Sequence, residues 1–296
     1  MGTVTVGLDL GDRYSRFCVV DAEGKTVEEG RVRTEVGAMR GRFQGAAARV
    51  VLEVGTHSPW VSRQLEELGH EVIVANPRRL RFIWGECNKT DRQDAEQLAR
   101  VGRMDPTLLR PIRHRGRDAQ MSMAVLWSRD ALVRTRSSLV SHVRGSVKAA
   151  GHRLPKCTTP AFARRAIEQI PDALRPALTP VLETIAGLTR RIRIYDRRIE
   201  AMCQQRYPET ERLRQPKGVG ALTALAFVLV VEDPSRFNTS RAVGPYVGLR
   251  PKQRQTGESD PQLGITKAGA VMLRRLLVQS AQYILGPFGA DCELLT

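Results

Sequence analysis

The strand pattern at the start of the chain constrains its fold more than any other feature. Residues Thr3–Leu10 are apolar and β-branched, and Asp9 lies near their end. Residues 15–21 and 26–33 repeat the pattern after short turns that contain glycine. Three strands joined by such short turns predict an antiparallel meander.

Helix and strand patterns alternate after the meander. Strand patterns at residues 49–54 and 71–75 each follow a helix pattern, and this order predicts a ribonuclease-H-like α/β fold. In such a sheet Asp9, on the first strand, would lie beside Glu53, at the end of the fourth. Both acids follow apolar strand residues, so we expect them at an edge of the sheet.

A helix pattern over residues 88–100 supplies two more acids. Asp91 and Asp94 are three residues apart, so a helix places them on one face with Cβ atoms about 5–6 Å apart. Acidic residues in a first helical turn can simply complement the macrodipole. Alternatively, they join Asp9 and Glu53. Four converging carboxylates repel one another unless cations neutralise them, and two divalent ions about 3.5–4 Å apart suit such a set.

Charge is distributed unevenly along the chain. Residues 1–110 hold 17 Lys and Arg against 16 Asp and Glu, whereas residues 111–296 hold 30 against 15. Arginine dominates the excess, and its planar fork suits phosphate groups. An arginine-rich proteome would explain the preference for Arg over Lys but not the asymmetry, which predicts a nucleic-acid partner.

Length and composition indicate the general class of the protein and its cellular compartment. A chain of 296 residues is long enough for two domains, and 42% hydrophobic with 26% charged residues is typical of a globular protein. It has no apolar run of about 18 residues and no signal-peptide pattern, so we expect no membrane contact. The five cysteines are scattered, which favours a reducing cytoplasm over a zinc site or disulfides. His57 and His70 are interpreted as loop and surface residues rather than general bases.

Two long basic helices are predicted after a Pro-containing linker. The apolar stripe of the first, residues 118–151, comprises Met121, Val125, Leu132, Leu139 and Val143, and its polar side carries Arg129, Arg134, Arg136, Arg144 and Lys148. The second, residues 180–206, has a near-heptad stripe of Leu182, Ile185, Leu188, Ile192, Tyr195, Ile199 and Met202. The helices are expected either to form an antiparallel hairpin or to pair with a second chain. Their basic faces are either solvated or in contact with phosphate.

Residues 213–231 predict a helix, a Gly-x-Gly turn and an apolar helix, similar to a helix–hairpin–helix. Backbone N–H groups at that turn can hold a phosphate, which makes Lys217, Gly218 and Gly220 candidate nucleic-acid contacts. A plain turn between helices is the alternative.

Several motifs resemble one known family. In the first part they are Val6–Gly11, Glu53–Thr56, Asn76–Arg79 and Lys89–Ala95. In the last part they are Asp233–Phe237, Ala242–Pro251, Gln255–Gly257, Ile265–Gly269 and the basic helix of Arg274 and Arg275. Their order and spacing resemble the DEDD transposases, which are insertion-sequence recombinases of the IS110 type related to the Piv DNA invertases. A sugar-kinase-like or actin-like ATPase shares the opening strand, but the later half lacks the expected phosphate and adenosine motifs.

The resemblance implies a fold and an activity. It implies a RuvC-like domain over residues 1–110, a helical, coiled-coil arm for oligomerisation over 111–208, and a C-terminal transposase domain over 209–296. The implied acidic quartet, which would bind Mg²⁺ or Mn²⁺, is Asp9, Glu53, Asp91 and Asp94. The implied reaction is strand exchange on DNA by a homodimer or homotetramer, guided by a structured non-coding RNA, in the cytoplasm and on the nucleoid of a bacterium.

Basic residues beside these motifs are predicted to contact nucleic acid. They are Arg78, Arg79, Lys89, Arg92, Lys252, Arg254, Lys267, Arg274 and Arg275, together with the turn residues named above. Family members continue past the position of Thr296 with further basic helices, so we expect a truncated or decayed copy, or a shortened product of a longer gene.

One residue departs from the family pattern. The family places a serine before the glycine of the Gln-x-Gly segment, and that serine is thought to attack the DNA phosphodiester and form a covalent intermediate. This chain has Thr256 there. The extra methyl of threonine crowds the attack and stiffens χ1, and Ser259 is an alternative nucleophile. The chain is therefore expected to be a recombinase, weakened at this step, or a nucleic-acid-binding descendant without activity.

Overall fold

The computed structural model describes residues 4–76, 91–257 and 259–287 and divides the chain into two compact units. The first unit is Met1–Arg115 and the second is Gly116–Thr296. The first contains β1 (Thr5–Asp9), β2 (Tyr14–Val20), β3 (Thr26–Arg33), α1 (Val36–Phe43), β4 (Arg49–Glu53), α2 (Ser58–Glu67), β5 (Glu71–Ala75) and α3 (Asp91–Met104). The predicted three-part division of the chain stays a prediction.

The strands of the described part form one sheet in the order β3-β2-β1-β4-β5. The first three strands are antiparallel neighbours, whereas β4 and β5 run parallel to β1. This is the order and direction of strands in a ribonuclease-H-like sheet. The predicted meander and the mixed α/β architecture of this part are therefore confirmed.

The two faces of the sheet carry different helices. Val6 and Leu8 belong to a buried cluster with residues of α1 and α2. Gly7 faces the other way, because successive residues of a strand alternate between faces. A Cβ atom built on Gly7 would lie 1.9 Å from the carbonyl oxygen of Ala95. Helix α3 therefore rests directly on β1.

Helix α3 runs against the direction of β1 and β4. Its Ala95 lies over Gly7, in the middle of β1. The carbonyl of Gly102, near its end, accepts a 3.2 Å hydrogen bond from Nη1 of Arg49, the first residue of β4. The N-terminus of α3 therefore points towards the edge at which β1 and β4 end, here called the carboxyl edge.

The second unit is helical. It contains α4 (Arg117–Ala149), α5 (Phe162–Ala166), α6 (Arg175–Gln205), α7 (Thr210–Leu213), α8 (Ala221–Val231), α9 (Val243–Tyr246) and α10 (Val271–Leu285). Short 3-10 segments are Pro106–Leu109 in the first unit and Thr159–Ala161, Ile167–Gln169, Asp172–Leu174, Pro234–Arg236 and Ser240–Ala242 in the second. None of the described helices is long and apolar enough to cross a membrane.

Helices α4 and α6, here called the helix pair, pack antiparallel within the chain. Ser122 forms a hydrogen bond with Tyr207, which lies beyond the end of α6. Arg129 donates to Asp196, and Arg136 donates to Thr189. Residue numbers therefore increase along one helix while they decrease along the other. Of the two predicted arrangements, the hairpin within one chain is observed.

The apolar stripes of the helix pair were predicted with unequal success. Six of the seven residues predicted for α6 are buried, and Tyr195 is half-buried. The stripe predicted for α4 is only partly correct: Val143 is buried, and Val125 and Leu139 pack against the buried clusters. Met121 is 54% exposed, whereas Met123 and Leu126 are buried and Arg136, assigned to the polar side, is only 8% exposed. Two arginines occupy core-facing positions of α4, and they obscure its apolar period.

Two separate buried clusters lie along the helix pair. One joins Met123 and Ile199 to α8 and α10, and the other joins Val143 and Ile185 to α5. The stretch between them contains the Arg129–Asp196 and Arg136–Thr189 contacts. This stretch also holds the buried Leu188 and Ile192, which belong to neither cluster, and it is called the polar layer below because charged and hydroxyl side chains meet there.

Candidate functional site

Asp9 and Glu53 lie side by side at the carboxyl edge. Strands β1 and β4 are parallel with Leu8 opposite Leu52, and the next residues, Asp9 and Glu53, end their strands. Both acids are half-buried. Asp9 is two residues after Gly7, so it emerges on the face covered by α3. The predicted neighbouring positions of these two acids are observed in the backbone.

Asp91 and Asp94 form the first turn of α3. Ala95 lies over Gly7, so the preceding helical turn extends beyond Gly7 by about 5–6 Å. Two strand residues cover a similar length, about 6.6 Å, from Gly7 to Asp9. The backbone thus brings the first turn of α3 to the same edge and face as Asp9. Asp94 is half-buried there and Asp91 is exposed.

Carboxylate oxygens, half-buried at the ends of adjacent strands, are the donors that a hard divalent cation prefers. The residue types therefore fit such an ion. Within residues 4–76, 91–257 and 259–287, however, no three Asp, Glu, His or Cys side chains meet in a metal-binding arrangement. The acidic quartet as a set of metal ligands stays a prediction.

The basic residues predicted beside the quartet are only partly described. Arg92 pairs with Glu29 of β3, with 2.7 Å between Nη2 and Oε1, and its side chain is largely exposed. Arg78, Arg79 and Lys89 lie outside the described residues. The nucleic-acid contacts of all four stay predictions.

His57 lies at the carboxyl edge in the loop before α2, in agreement with its predicted loop position, but its contacts were not predicted. It lies four positions after Glu53, directly before α2. Its Nδ1 accepts a 3.1 Å hydrogen bond from Trp60 Nε1, and its Nε2 lies 3.6 Å from Asp12 Oδ1. The pattern His-x-x-Trp at a helix start could have indicated this contact.

His70 is not the surface residue that was predicted. It is buried, its Nδ1 accepts a 3.1 Å hydrogen bond from the Ala48 backbone, and its Nε2 lies 2.7 Å from the Phe43 carbonyl. The ring ties the end of α1 to the start of β4, which is a structural role.

Thr256 lies at an exposed turn of the second unit. The backbones of Thr256 and Ser259 exchange hydrogen bonds of 3.1 and 3.0 Å, and Gly257 has the left-handed φ of 56° that such a turn requires. Residues paired in this way have Cα atoms about 5.5 Å apart and side chains on one face. The two candidate nucleophiles therefore lie side by side, and Thr256, Gly257 and Ser259 are together called the hydroxyl turn below.

A cavity of about 480 Å³ lies beside the predicted Gly-x-Gly turn. Its lining includes Gly218, Gly220, Thr223, Ser280 and Tyr283. A Cβ atom on Gly218 would come within 2.9 Å of the Tyr283 ring, so glycine permits the turn to approach α10 closely. Lys217 is exposed at this turn, and Lys252, Arg254 and Lys267 are exposed elsewhere in the unit.

The two arginines of α10 are not equivalent. Arg274 is buried, and its Nη1 donates to the carbonyls of Val247 at 2.9 Å and Ala268 at 2.7 Å. Its predicted contact with nucleic acid has no support from this placement, because the guanidinium joins two loops inside the unit. Arg275 is partly exposed and pairs with Asp130.

Two family models match the chain. The model described as "Transposase IS116/IS110/IS902 family" matches residues 210–288. The model DEDD_Tnp_IS110, described as "Transposase", matches residues 6–150. Together the two ranges span about three quarters of the chain.

Curated relatives are similar over nearly the whole chain. The "Transposase for insertion sequence element IS1111A" of Coxiella burnetii is 28% identical over 95% of this chain and 77% of its own length. The "Probable family 20 transposase" of Pseudomonas aeruginosa is 27% identical over 96% of this chain and 85% of its own. The Thermus thermophilus RuvC structure is 19% identical with a TM-score of 0.26, covering 34% of this chain and 96% of that one. This structural similarity is too low to identify the fold. The ribonuclease-H-like architecture is identified from the strand order alone.

Proposed function

This chain belongs to the IS110 family of insertion-sequence transposases, and we propose that it cuts and exchanges DNA strands with the acids of its carboxyl edge. The observation that supports this most is the position of Asp9 and Glu53 at the ends of adjacent parallel strands, with the first turn of α3 at the same edge. Carboxylates brought close together at this edge would repel one another unless a cation neutralises them.

The proposed ligands of a divalent cation, Mg²⁺ or Mn²⁺, are Asp9, Glu53, Asp91 and Asp94. When bound, the ion supplies positive charge that stabilises the phosphate undergoing substitution. The protein contributes the rigid placement of these carboxylates, because β1, β4 and α3 are packed elements rather than loops.

The proposed nucleophile is the Thr256 hydroxyl. Its oxygen forms a bond to the DNA phosphorus, the bond from phosphorus to a deoxyribose oxygen breaks, and the threonine proton is transferred so that the deoxyribose leaves as a hydroxyl. The exposure of the hydroxyl turn supports this role. Ser259, opposite Thr256 in that turn, is the second candidate for the same step.

The proposed partners are the element ends, a target DNA and a structured guide RNA. The charge of residues 111–296, 30 Lys and Arg against 15 Asp and Glu, supports binding to phosphate backbones. Lys217, Lys252, Arg254, Lys267 and Arg275 are the proposed contacts of the second unit, with the backbone of Gly218 and Gly220. A homodimer or homotetramer is proposed for strand exchange between two DNA segments.

A covalent adduct between the protein and DNA tests the proposal. The full chain is incubated with Mg²⁺, DNA carrying the element ends, and RNA transcribed from the flanking segment. We expect an adduct that survives denaturation and disappears in Asp9→Asn. Thr256→Ala and Ser259→Ala then assign the nucleophile, because of these two variants only the one that lacks the attacking hydroxyl should lose the adduct. No adduct in any combination would contradict the proposed function.

A binding protein without activity is the second candidate, and the threonine at position 256 favours it. Thr256→Ser separates the two functions. Strand exchange gained in this variant indicates an enzyme slowed by the methyl group, whereas continued inactivity with intact DNA binding indicates a binding protein.

A further inference from the structure

We propose that His57 is a positioning residue for DNA, donating a hydrogen bond from Nε2 to a phosphate oxygen of the strand that lies at the carboxyl edge. This inference rests on the proposed function, since it assigns the DNA contact of the same edge. It is argued from the loop that holds the ring, the hydrogen bond that sets its tautomer and the direction in which Nε2 points.

The loop that carries His57 is fixed from within. The Oγ atom of the fully buried Ser58 accepts a 2.9 Å hydrogen bond from the Gly55 backbone and donates a 2.8 Å bond to the Gly55 carbonyl. The carbonyl of His57 accepts hydrogen bonds from the backbones of Trp60 at 3.2 Å and Val61 at 3.1 Å. The end of β4 and the start of α2 therefore hold His57 at a set distance from Glu53.

Trp60 fixes the tautomer of His57. An indole N–H can only donate, so its 3.1 Å contact with His57 Nδ1 requires a lone pair on Nδ1. The imidazole is then neutral and carries its proton on Nε2. The two rings meet edge to face with centroids 6.1 Å apart, and Trp60 packs against the core beneath the sheet. The Nε2–H group is thus a donor with a fixed direction.

That donor faces the outside of the carboxyl edge. Asp12 Oδ1 is 3.6 Å from Nε2, which is longer than a hydrogen bond, and the Asp12 side chain is 95% exposed. An exposed carboxylate can turn away as a phosphate arrives. A neutral donor also suits this edge, because a lysine or arginine here would pair with the neighbouring acids instead of the DNA.

DNA with single neutral phosphates tests the contact. The probe is a duplex spanning one element end, bound by the full chain with the flanking RNA, with Ca²⁺ in place of Mg²⁺. Each phosphate at the cut site is replaced in turn by a methylphosphonate, which lacks the anionic oxygen. His57→Ala is expected to weaken binding to unmodified DNA about tenfold, the size of one hydrogen bond to a charged group.

The proposal predicts that the two proteins differ in their response at one phosphate only. At the contacted position, the methylphosphonate should weaken binding of the wild type but not of His57→Ala. His57→Gln, whose amide can donate from a similar place, should recover most of the affinity. The proposal is overturned if His57→Ala binds like the wild type, or if every methylphosphonate weakens both proteins equally.

A separate measurement tests the tautomer of His57. In the ¹⁵N spectrum of the histidine rings, the signals of His57 should show a protonated Nε2 in the wild type and a mixture of tautomers in Trp60→Phe, which keeps an aromatic ring but loses the donor. A wild-type ring protonated on Nδ1 would contradict the proposal. These measurements need no catalysis. If the phosphate contact is found but no protein–DNA adduct forms, only the proposed function is overturned. If the adduct forms but the phosphate contact is absent, only the role of His57 is overturned.

Discussion

Among single residues, Gly7 is the one on which the arrangement of the carboxyl edge depends most. A Cβ atom there would lie 1.9 Å from the carbonyl oxygen of Ala95 and 2.5 Å from the backbone nitrogen of Ala99. Both are backbone atoms of α3, so no side chain can rotate to make room. The close approach also fixes the height of Asp94, one residue before Ala95, above the sheet.

Gly7→Ala is expected to destabilise the first unit by about 3 kcal/mol, because α3 must move off the sheet. Gly37→Ala is the matched control. Gly37 lies in α1 with no neighbouring atom within 4 Å of its would-be Cβ, and the loss of chain freedom should stabilise that helix by about 0.5–1 kcal/mol. Urea unfolding followed by circular dichroism measures both. Equal effects of the two substitutions would contradict the packing described for α3.

His114 gives the first unit a dependence on pH. Burial, and then the charges of Arg63 and Arg115, lower the pKa of His114 below its ordinary value. Its Nε2 is buried without a hydrogen-bond partner among the described residues. Below the pKa that His114 has in the unfolded chain, the unfolded chain binds a proton on this ring, whereas the folded protein does so only at lower pH. Stability present above about pH 6.5 is therefore lost as the pH falls.

Melting temperatures at about pH 7.5 and about pH 5.5 check this expectation. The decrease between the two should be smaller in His114→Gln than in the wild type. His142→Gln, at an exposed position of α4, serves as the control and should leave the decrease unchanged. The same decrease in all three proteins would exclude His114 as its source.

Among the elements, the helix pair contains a buried arginine that forms no ion pair with the described residues. Arg136 is 8% exposed, its Nη1 donates a 3.3 Å hydrogen bond to Thr189 Oγ1, and its Nε is buried with no partner in the described part. Burial, then the charge of Arg129, lowers the pKa of Arg136, and Asp196 partly opposes this. Such a residue costs stability that a hydrophobic side chain would not.

Arg136→Met is therefore expected to leave the second unit unchanged or to stabilise it by about 1–3 kcal/mol. Thr189 keeps its 2.8 Å hydrogen bond to the Ile185 carbonyl in that variant. Arg129→Met is the matched change, and it should destabilise, since it leaves Asp196 without the partner that lies 2.6 Å away. Thermal unfolding distinguishes the two. A loss of stability in Arg136→Met would show that Arg136 makes stabilising interactions beyond the contacts described above.

The elements also explain what the sequence could predict. Strands β1 to β5 were predictable because each is a short apolar run between turns, and α6 because nearly all its core-facing positions are apolar. The core face of α4 was predicted only in part, because Arg129 and Arg136 occupy positions that a period of 3.6 assigns to apolar residues. The ring pair of His57 and Trp60, and the opposition of Thr256 and Ser259, depend on side-chain direction and turn geometry, which composition does not encode.

For the whole molecule, uneven charge is the feature with the broadest effect. The net charge of +16 arises almost entirely after residue 110. Each phosphate contact releases counterions, so the logarithm of affinity for DNA should fall linearly with the logarithm of salt concentration. Lys252 and Arg254 are exposed and predicted to make two of these contacts.

Lys252→Gln with Arg254→Gln should reduce the steepness of that line by about 2. The control removes the same charge from surface ion pairs of the first unit by Arg40→Gln with Arg100→Gln, residues that pair with Glu67 and Glu96. Its slope should match the wild type. Filter binding to duplex DNA over a range of salt measures both, and equal slopes in the two double variants would assign the effect to net charge alone.

The polar layer of the helix pair has a consequence for motion. The cluster around Val143 and Ile185 shares no buried residue with the one around Met123 and Ile199, so its end of the two helices can unfold while the other end stays intact. Native-state hydrogen exchange should then show two levels of protection along α4, a continuous helix from Arg117 to Ala149. Backbone amides before the layer would exchange only through global opening, and those after it through a smaller local one. One uninterrupted helix would thus contain two cooperative folding units.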